Sequence, residues 1–241
     1  MLGLAATLLL ILSLALTGCR ATAQPSPSPN ATLTPTSTPP ELLEASAIRM
    51  AALGSLSFTL IHESGATPLM TGVVMNEMTG EVLLPDKFKV RVAAEAAGIT
   101  ALRIDLLAAD GKVHMTDPIS QKWREIGFQN IPFDFTNLGE KLAEILRAIE
   151  APTRGEYESV DGRKSLRLNG TVSSSALEKL IPNASADLVV GLEVWVREDD
   201  MLLGQARISG PVAPMDPAEV VRLLTFYAFD EPVEITPPPD V

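Results

Sequence analysis

The sequence predicts an α+β fold built on an antiparallel sheet. Beyond residue 55, apolar residues recur at every second position in most segments; the clearest case is 87–92, where Phe88, Val90 and Val92 alternate with charged residues. Asp-Gly pairs at 110–111 and 161–162 are typical of tight hairpin turns. Helical spacing is confined to a few segments and does not alternate with the strands. A regular βαβ architecture is therefore excluded.

The alternating pattern sets the expected positions of the strands along the chain. Extended segments are predicted at 55–60, 72–84 with an interruption at Thr79-Gly80, 87–92, 101–106, 112–115, 122–126, around Tyr157, 166–172, 190–197, 202–209, 222–229 and 232–235. A turn is expected at Ala97-Gly98.

Three segments have helical character. The first runs from Glu41 to Leu53 and ends at Gly54, with Pro40 at its start, where a missing N–H costs nothing. The second begins after Asn137, the expected N-cap, and cannot run far past Pro152. Residues 175–178 resemble a capping box that opens a short helix ending before Pro182.

The N-terminus carries an apolar run, Leu2–Leu14, that ends in Leu16-Thr17-Gly18-Cys19. A run of this length with small residues at its exit is typical of a secretory signal. The last four residues resemble a bacterial lipobox, which implies lipidation of Cys19 and cleavage just before it. Cys19 is the single cysteine of the chain, so no internal disulfide can form. The alternative is that Cys19 merely ends the leader or belongs to a retained anchor helix; no Lys or Arg precedes the apolar run.

These features divide the chain into four parts. Residues 1–18 are expected to be the signal peptide, and residues 19–40 the lipidated cysteine and a stalk rich in Pro, Ser and Thr, which cannot bury apolar surface. Residues 41–237 are a plausible single domain, followed by a tail at 238–241.

Composition limits the classes of partner. The net charge is −11 and the pI is near 4.7. Such a balance argues against nucleic-acid binding and against electrostatic docking on anionic headgroups, both of which need clustered Lys and Arg. Membrane attachment is therefore expected to depend on the acyl chains of the anchor.

Catalytic and metal-binding signatures are missing from the sequence. The two histidines, His62 and His114, fall in strands, and neither belongs to a zinc-protease motif. No nucleophile elbow, dinucleotide fingerprint or phosphate-binding loop is found, so neither a cofactor nor an enzymatic activity is expected. A hydrolase would need His62 or His114 beside a Ser and a carboxylate.

The apolar face of the sheet must be covered. Leaving about ten such side chains in water would forgo ~20 kcal/mol, more than the ~5–15 kcal/mol net stability of a typical domain. The sheet can curl on itself, the helices can pack over it, or an apolar ligand can fill the gap. A fully packed interior, as in a non-enzymatic envelope interaction module, remains an alternative to a cavity.

Several segments, taken in order, resemble the mycobacterial LppX/LprA/LprF/LprG lipoprotein family. They follow the lipobox and are a helix that runs into Leu56–Leu60, then Pro85–Val90, Asp110–Met115, Trp123, Gly210-Pro211, Leu224–Phe226 and Phe229–Ile235. The resemblance implies a single highly curved antiparallel sheet, a half-barrel with a few helices on its concave side, similar to the carriers LolA and LolB.

The same resemblance implies a function. Members of the family hold acyl chains of membrane glycolipids in an apolar cavity and help to move them to the outer envelope. A lipid or glycolipid ligand, a location on the outer face of the cytoplasmic membrane, an export transporter as a further partner, and a monomeric state are therefore expected. The alternation by itself selects eight candidates for the cavity lining, each of which could equally be ordinary core: Phe58, Leu60, Val90, Val92, Leu102, Ile104, Leu192 and Val194.

Overall fold

A computed structural model describes residues 37–238, apart from residues 97, 132, 182 and 187. The predicted signal, Cys19 and most of the stalk lie outside this range. Two α-helices, α1 (Pro39–Ala51) and α2 (Leu138–Arg147), and two 3₁₀ turns, Phe128–Asn130 and Ser174–Leu177, accompany the strands. The strands are β1 (Ser55–Ser64), β2 (Thr67–Met70), β3 (Val73–Leu83), β4 (Lys87–Ala96), β5 (Ile99–Ala109), β6 (Lys112–Thr116), β7 (Trp123–Ile126), β8 (Glu150–Val160), β9 (Arg163–Ser173), β10 (Val189–Arg197), β11 (Leu203–Ser209) and β12 (Val221–Tyr227).

The strands form one antiparallel sheet in the order β7-β6-β5-β4-β3-β1-β12-β11-β10-β9-β8, with β2 paired to β3. The sheet curves into a half-barrel and does not close, because β7 and β8 are its two edges. These two strands are neighbours in the chain, so the connection between them must cross the open side. That connection carries α2. The predicted half-barrel with helices on its concave side is confirmed.

The alternation in the sequence matches burial in the strands. In β4, buried Phe88, Val90, Val92 and Ala94 alternate with exposed or half-buried residues, as expected for a strand with one covered face. The hairpin turns at Asp110-Gly111 and Asp161-Gly162 have both residues at positive φ, the backbone conformation that a two-residue turn of this type needs.

The expected interruption at Thr79-Gly80 is wrong, since β3 runs through both residues. Gly80 is directly opposite Phe58 of β1, and a Cβ built on it would overlap the Phe58 ring. This glycine therefore makes room for an aromatic ring inside the half-barrel rather than turning the chain.

The helix predictions need three adjustments. The helix α1 starts at Pro39, inside the predicted stalk, because Thr38 caps it: the Thr38 amide donates to Glu41 Oε2 at 2.7 Å. Asn137 is the N-cap of α2 but makes no side-chain capping bond, since its φ is 49°. The segment after Ser173 is a 3₁₀ turn, with the Ser173 hydroxyl accepting from the Ser175 amide.

The C-terminal segment departs from the predicted pattern. β12 ends at Tyr227, and residues 232–235 do not join the sheet. Ile235 instead packs with Leu107 and Ala109 of β5 in a small cluster separate from the main core. Both β5 side chains lie on the opposite face from Leu106 and Ala108, which belong to the main core, so this segment covers part of the convex face.

The two helices cover part of the concave face. One side of α1 is buried through Leu42, Leu43, Ala47 and Met50, and the helix packs against α2 and contacts β8 and β10. These residues and the inner strand residues form one continuous hydrophobic core. Among the residues that the structure describes, neither helix is long and apolar enough to cross a bilayer.

The close approach of Gly80 and Phe58 gives a stability prediction. Gly80→Ala should lower the free energy of unfolding by about 1–3 kcal/mol, because the added methyl group would overlap the Phe58 ring. Urea unfolding of the wild type and the variant measures the change.

Gly191→Ala in β10 is the matched control, since the nearest atom to its added Cβ would be the Ser209 Cβ at 3.5 Å, an ordinary contact. Combining Gly80→Ala with Phe58→Leu should recover part of the loss. Equal stability of the two alanine variants would contradict the account of Gly80.

Candidate functional site

A cavity of about 550 Å³ lies inside the half-barrel, between the central strands and α2. This volume falls within the ~300–1,000 Å³ range of small-molecule sites. The apolar lining consists of Phe58, Leu60, Pro68, Leu69, Met75, Met78, Phe133, Phe135, Leu138, Leu142, Leu180, Ile181, Ile208, Val212, Ala213, Pro214, Met215, Leu224 and Phe226. Four polar residues complete it: Thr67, Asn183, Asp216 and Arg222.

Aromatic rings close one side of this cavity. The loop before α2 places Phe133 and Phe135 inside the half-barrel. The Phe135 ring stacks on Phe58 with centroids 5.3 Å apart, and meets the edge of Phe88 at the same distance. The Phe133 ring is 6.1 Å from that of Phe135. This cluster fills the space above β4 with side chains, and the cavity lies over β1 and the strands on its other side.

The mouth of the cavity is where its lining residues reach solvent. Pro214, Met215 and Asn183 are exposed, and Met215 is 59% exposed. The deep residues Phe58, Met75 and Met78 are at most 2% exposed. The loops that carry residues 180, 181 and 183 and residues 212–216 therefore form the rim of an apolar site that is open at one end.

Two of the eight predicted lining residues, Phe58 and Leu60, do lie along the cavity. The other six belong to the hydrophobic core or pack against it without lining the cavity: Val90, Val92, Leu102, Ile104, Leu192 and Val194. Contact of any of the eight with a ligand stays a prediction. Cys19 lies outside the described residues.

The difference between the two predicted residues that line the cavity and the six that do not has a physical cause. Alternation shows which face of a strand is apolar, but not which part of that face another segment covers. The Phe135 ring contacts the rings of Phe58 and Phe88, so it covers the β4 side of the interior. On the opposite side, α1 contacts β10, the strand of Leu192 and Val194.

Polar residues at the mouth were missed by the sequence reasoning. Arg222 occupies an inner position of β12, in line with Leu224 and Phe226, which also line the cavity. The alternating pattern of β12 places a charged residue at a position where apolar residues are expected, and this is the sequence signal that reveals Arg222. Thr67 and Asp216 give no such signal, because each lies outside a regular alternating run.

These residues form one hydrogen-bonded group around a buried guanidinium. Arg222 is 3% exposed, and its Nε donates to Thr67 Oγ1 at 2.7 Å. Its Nη2 lies 2.7 Å from Asp216 Oδ1, an ion pair whose angle falls outside that of a good hydrogen bond. Asp216 Oδ2 accepts from the amides of Val212 at 2.9 Å and Ala213 at 3.2 Å. The carboxylate is thus fixed to the rim loop and balances the charge of Arg222.

His62 extends this group. Its Nδ1 is 2.9 Å from the Asn76 carbonyl oxygen, and its Nε2 is 2.8 Å from Thr67 Oγ1. The carbonyl can only accept, so Nδ1 carries the proton; the Thr67 hydroxyl accepts from Arg222 and donates to Nε2. Burial lowers the pKa of His62 below its ordinary value, and the positive charge of Arg222 adds to this effect, while the Asn76 carbonyl and Asp216 oppose it. The neutral imidazole is therefore the favoured form.

The geometry offers little to hydrolysis or metal binding. The ring nitrogens of His62 bond a threonine hydroxyl and a backbone carbonyl, so its partners are neither a serine nor a carboxylate. Across the described part of the chain, no group of three or more His, Cys, Asp or Glu side chains could hold a metal ion.

Comparison with known proteins identifies the family. Residues 38–235 match the model of the LppX_LprAFG lipoprotein family. The chain belongs to this family. The matched range covers the described sheet and both helices, so the assignment applies to the cavity and its rim.

Relatives and solved structures agree with this assignment. The chain is 27% identical over 177 residues to the lipoarabinomannan carrier protein LprG of Mycobacterium leprae, covering 70% of this chain and 71% of that protein. It is 30% identical over 105 residues to the protein of the same name from Mycolicibacterium smegmatis, covering 42% and 44%.

Two crystal structures share the fold of the family. LprF from Mycobacterium bovis superposes with a TM-score of 0.65 at 13% identity, covering 88% of this chain and all of that one. LppX from Mycobacterium tuberculosis superposes with a TM-score of 0.56 at 15% identity, covering 82% and 98%. At such identities the likeness shows the fold, an open half-barrel.

Proposed function

We propose that this protein is a membrane-anchored extracytoplasmic lipoprotein that binds acyl chains of lipids or glycolipids and carries or presents them in the cell envelope. The observation that carries the proposal is the cavity of about 550 Å³, whose wall is apolar except at the mouth. Hydrocarbon is the class of ligand that such a wall accepts, because apolar groups have no hydrogen bonds to lose on entering it.

The apolar wall of the cavity favours a hydrocarbon occupant on energetic grounds. Each methylene that is buried against such a wall rather than in water is worth ~0.8 kcal/mol, so about ten of them would contribute ~8 kcal/mol. This lies within the ~5–15 kcal/mol net stability of a typical domain. An apolar guest would therefore act as a large part of the core.

The relatives point to the same class of ligand. The LprG proteins of two mycobacterial species are named carriers of lipoarabinomannan, a molecule with a lipid part and a polysaccharide part. A cavity that is apolar inside and open at one end would suit such a ligand, with the acyl chains inside and the polar part in solvent. We propose the same class of ligand for the present chain, namely an acylated glycolipid or phospholipid.

The mechanism we propose is exchange. Acyl chains would leave the bilayer for a cavity of similar polarity, so the transfer would be nearly neutral in free energy. Acyl chains would pass the rim formed by residues 180, 181, 183 and 212–216, which would have to move apart for a branched or multiply acylated lipid. No covalent step is needed, and we propose that the protein is not an enzyme.

Attachment and partners complete the proposal. A diacylglyceryl group on Cys19 and the stalk up to the cap of α1 would hold the domain on the outer face of the cytoplasmic membrane. A monomer would suffice, because one chain supplies the whole cavity lining. An export transporter would be the donor or acceptor of the lipid.

Blocking the cavity from one strand position gives the first test. Leu60→Trp should lower the amount of lipid bound per protein about tenfold or more, because overpacking of a filled site costs ~1–3 kcal/mol and ~1.4 kcal/mol corresponds to a factor of ten. The measurement is mass spectrometry of an organic extract of purified residues 37–241, which contain the sheet, both helices and the Thr38 cap.

Ile61→Trp is the matched control, since Ile61 is the next residue on β1 but faces outward and is 41% exposed. It should keep the lipid content of the wild type. Wild-type protein without extractable lipid, or equal lipid content in both variants, would contradict the proposal and favour an interaction module without a lipid ligand.

The anchor has a separate test in the full chain. Cys19→Ala removes the thiol that would be alkylated, so the protein should leave the membrane fraction when cells are broken and fractionated. Cys19→Ser is a second variant with the same expectation. Retention of both variants in the membrane fraction would show that the leader remains as an anchor helix.

A further inference from the structure

Arg222 is an unusual residue for the wall of an apolar cavity. It is 3% exposed; its Nε donates to Thr67 Oγ1, and its Nη2 lies 2.7 Å from Asp216 Oδ1 in an ion pair without a hydrogen bond. Nη1 and Nη2 are both buried without a hydrogen-bond partner among the described residues, and Nη2 is the one that faces Asp216. A buried donor left in this way costs about 1–3 kcal/mol, so a ligand atom that accepts from it would gain affinity.

The position of this free donor is fixed by the fold. Arg222 pairs with His62 of β1 and Ile208 of β11 across the sheet, so its side chain lies on the inner face near the start of β12. The rim loop passes over it, with Asp216 held by the amides of Val212 and Ala213. Farther along the strands from Arg222, the cavity is lined by apolar residues such as Phe58 and Met78. A polar group bound by Nη1 would therefore lie between buried chains and the exposed rim.

Charge decides which acceptor fits. The positive charge of Arg222 is already balanced by Asp216, whose Oδ1 lies 2.7 Å from Nη2. A ligand phosphate or carboxylate would place a second negative charge beside this buried carboxylate, at a cost. An uncharged carbonyl oxygen brings no such repulsion and still receives a charge-assisted hydrogen bond.

We propose that Arg222 binds an ester carbonyl of an acyl-glycerol lipid through Nη1, at the junction between the buried chains and the exposed polar part of the ligand. This inference rests on the proposed function and adds a selectivity to it: lipids whose chains are joined by esters should bind better than those joined by ethers. An ether lacks the carbonyl oxygen and offers Nη1 only the more weakly accepting ether oxygen.

The test compares dipalmitoylglycerol with its diether analogue, dihexadecylglycerol. Each is titrated against delipidated residues 37–241 loaded with the neutral fluorescent probe N-phenyl-1-naphthylamine, and displacement of the probe is followed. The wild type should prefer the diester about tenfold, which corresponds to ~1.4 kcal/mol. The ratio of the affinities for the diester and the diether is determined separately for each protein. A change that affects the binding of both lipids equally therefore cancels.

Two variants assign the preference to Arg222. The double variant Arg222→Met with Asp216→Asn removes both charges together, so neither is left buried and unpaired, and its ratio should fall to about one. Arg222→Lys keeps a positive charge opposite Asp216 without the planar guanidinium group and should also lose most of the preference.

The variant Asp216→Asn tests the charge argument. It should keep the ester preference and bind palmitate better than the wild type does, because the negative charge that would repel the palmitate carboxylate is removed.

The outcomes separate this inference from the proposed function. A wild type that binds both lipids equally well would overturn the role of Arg222 while leaving lipid binding intact. An ester preference that persists in the double variant and in Arg222→Lys would also overturn the role of Arg222 while leaving lipid binding intact. A wild type that takes up neither the probe nor either lipid would overturn the proposed function itself.

Discussion

Every second side chain along most of the strands is apolar and points to the concave face of the half-barrel, and this face has to be kept from water. The chain does so in three ways. The helix α1 packs against β8 and β10, α2 crosses the open side between the two edge strands, and Phe135 contacts both Phe58 and Phe88. Between these covers a cavity of about 550 Å³ is left.

The topology explains why the gap lies where it does. The edge strands β7 and β8 are consecutive in the chain, so the segment between them must pass over the mouth of the half-barrel. This segment supplies both the aromatic loop and α2, and both line one side of the cavity. The rim on the other side comes from the loops that carry residues 180, 181 and 183 and residues 212–216. Polar side chains are concentrated there, with the pair Arg222 and Asp216 buried behind the exposed Met215.

Much of the fold could be predicted from local sequence, because strand alternation and Asp-Gly turns are local signals. β4 and the hairpins at 110–111 and 161–162 follow the pattern closely. The failures involve residues whose role depends on distant neighbours. Gly80 was expected to interrupt a strand, yet it accommodates the ring of Phe58 on the paired strand. Ile235 was expected in a strand, yet it packs on the convex face of β5.

The site was less predictable than the fold for the same reason. Alternation placed Phe58 and Val90 on the same face, but it could not show that Phe58 borders the cavity while Val90 lies in the packed core. That distinction depends on where Phe135 lies, a residue from a loop without periodicity. Arg222 was visible in the sequence as a charge in an apolar stripe, but its partner Asp216 comes from a rim loop whose position no periodicity reveals.

The central claim is that a bound hydrocarbon completes the core of this domain, and the free energy of unfolding with and without lipid tests it most directly. Residues 37–241 should be stripped of lipid, checked by native mass spectrometry, and unfolded in urea before and after reloading with dipalmitoylglycerol. The account predicts a lower unfolding midpoint for the stripped protein and recovery of the midpoint on reloading, together with a mass increase equal to the bound lipid. Identical midpoints in both states, with no lipid retained, would contradict it.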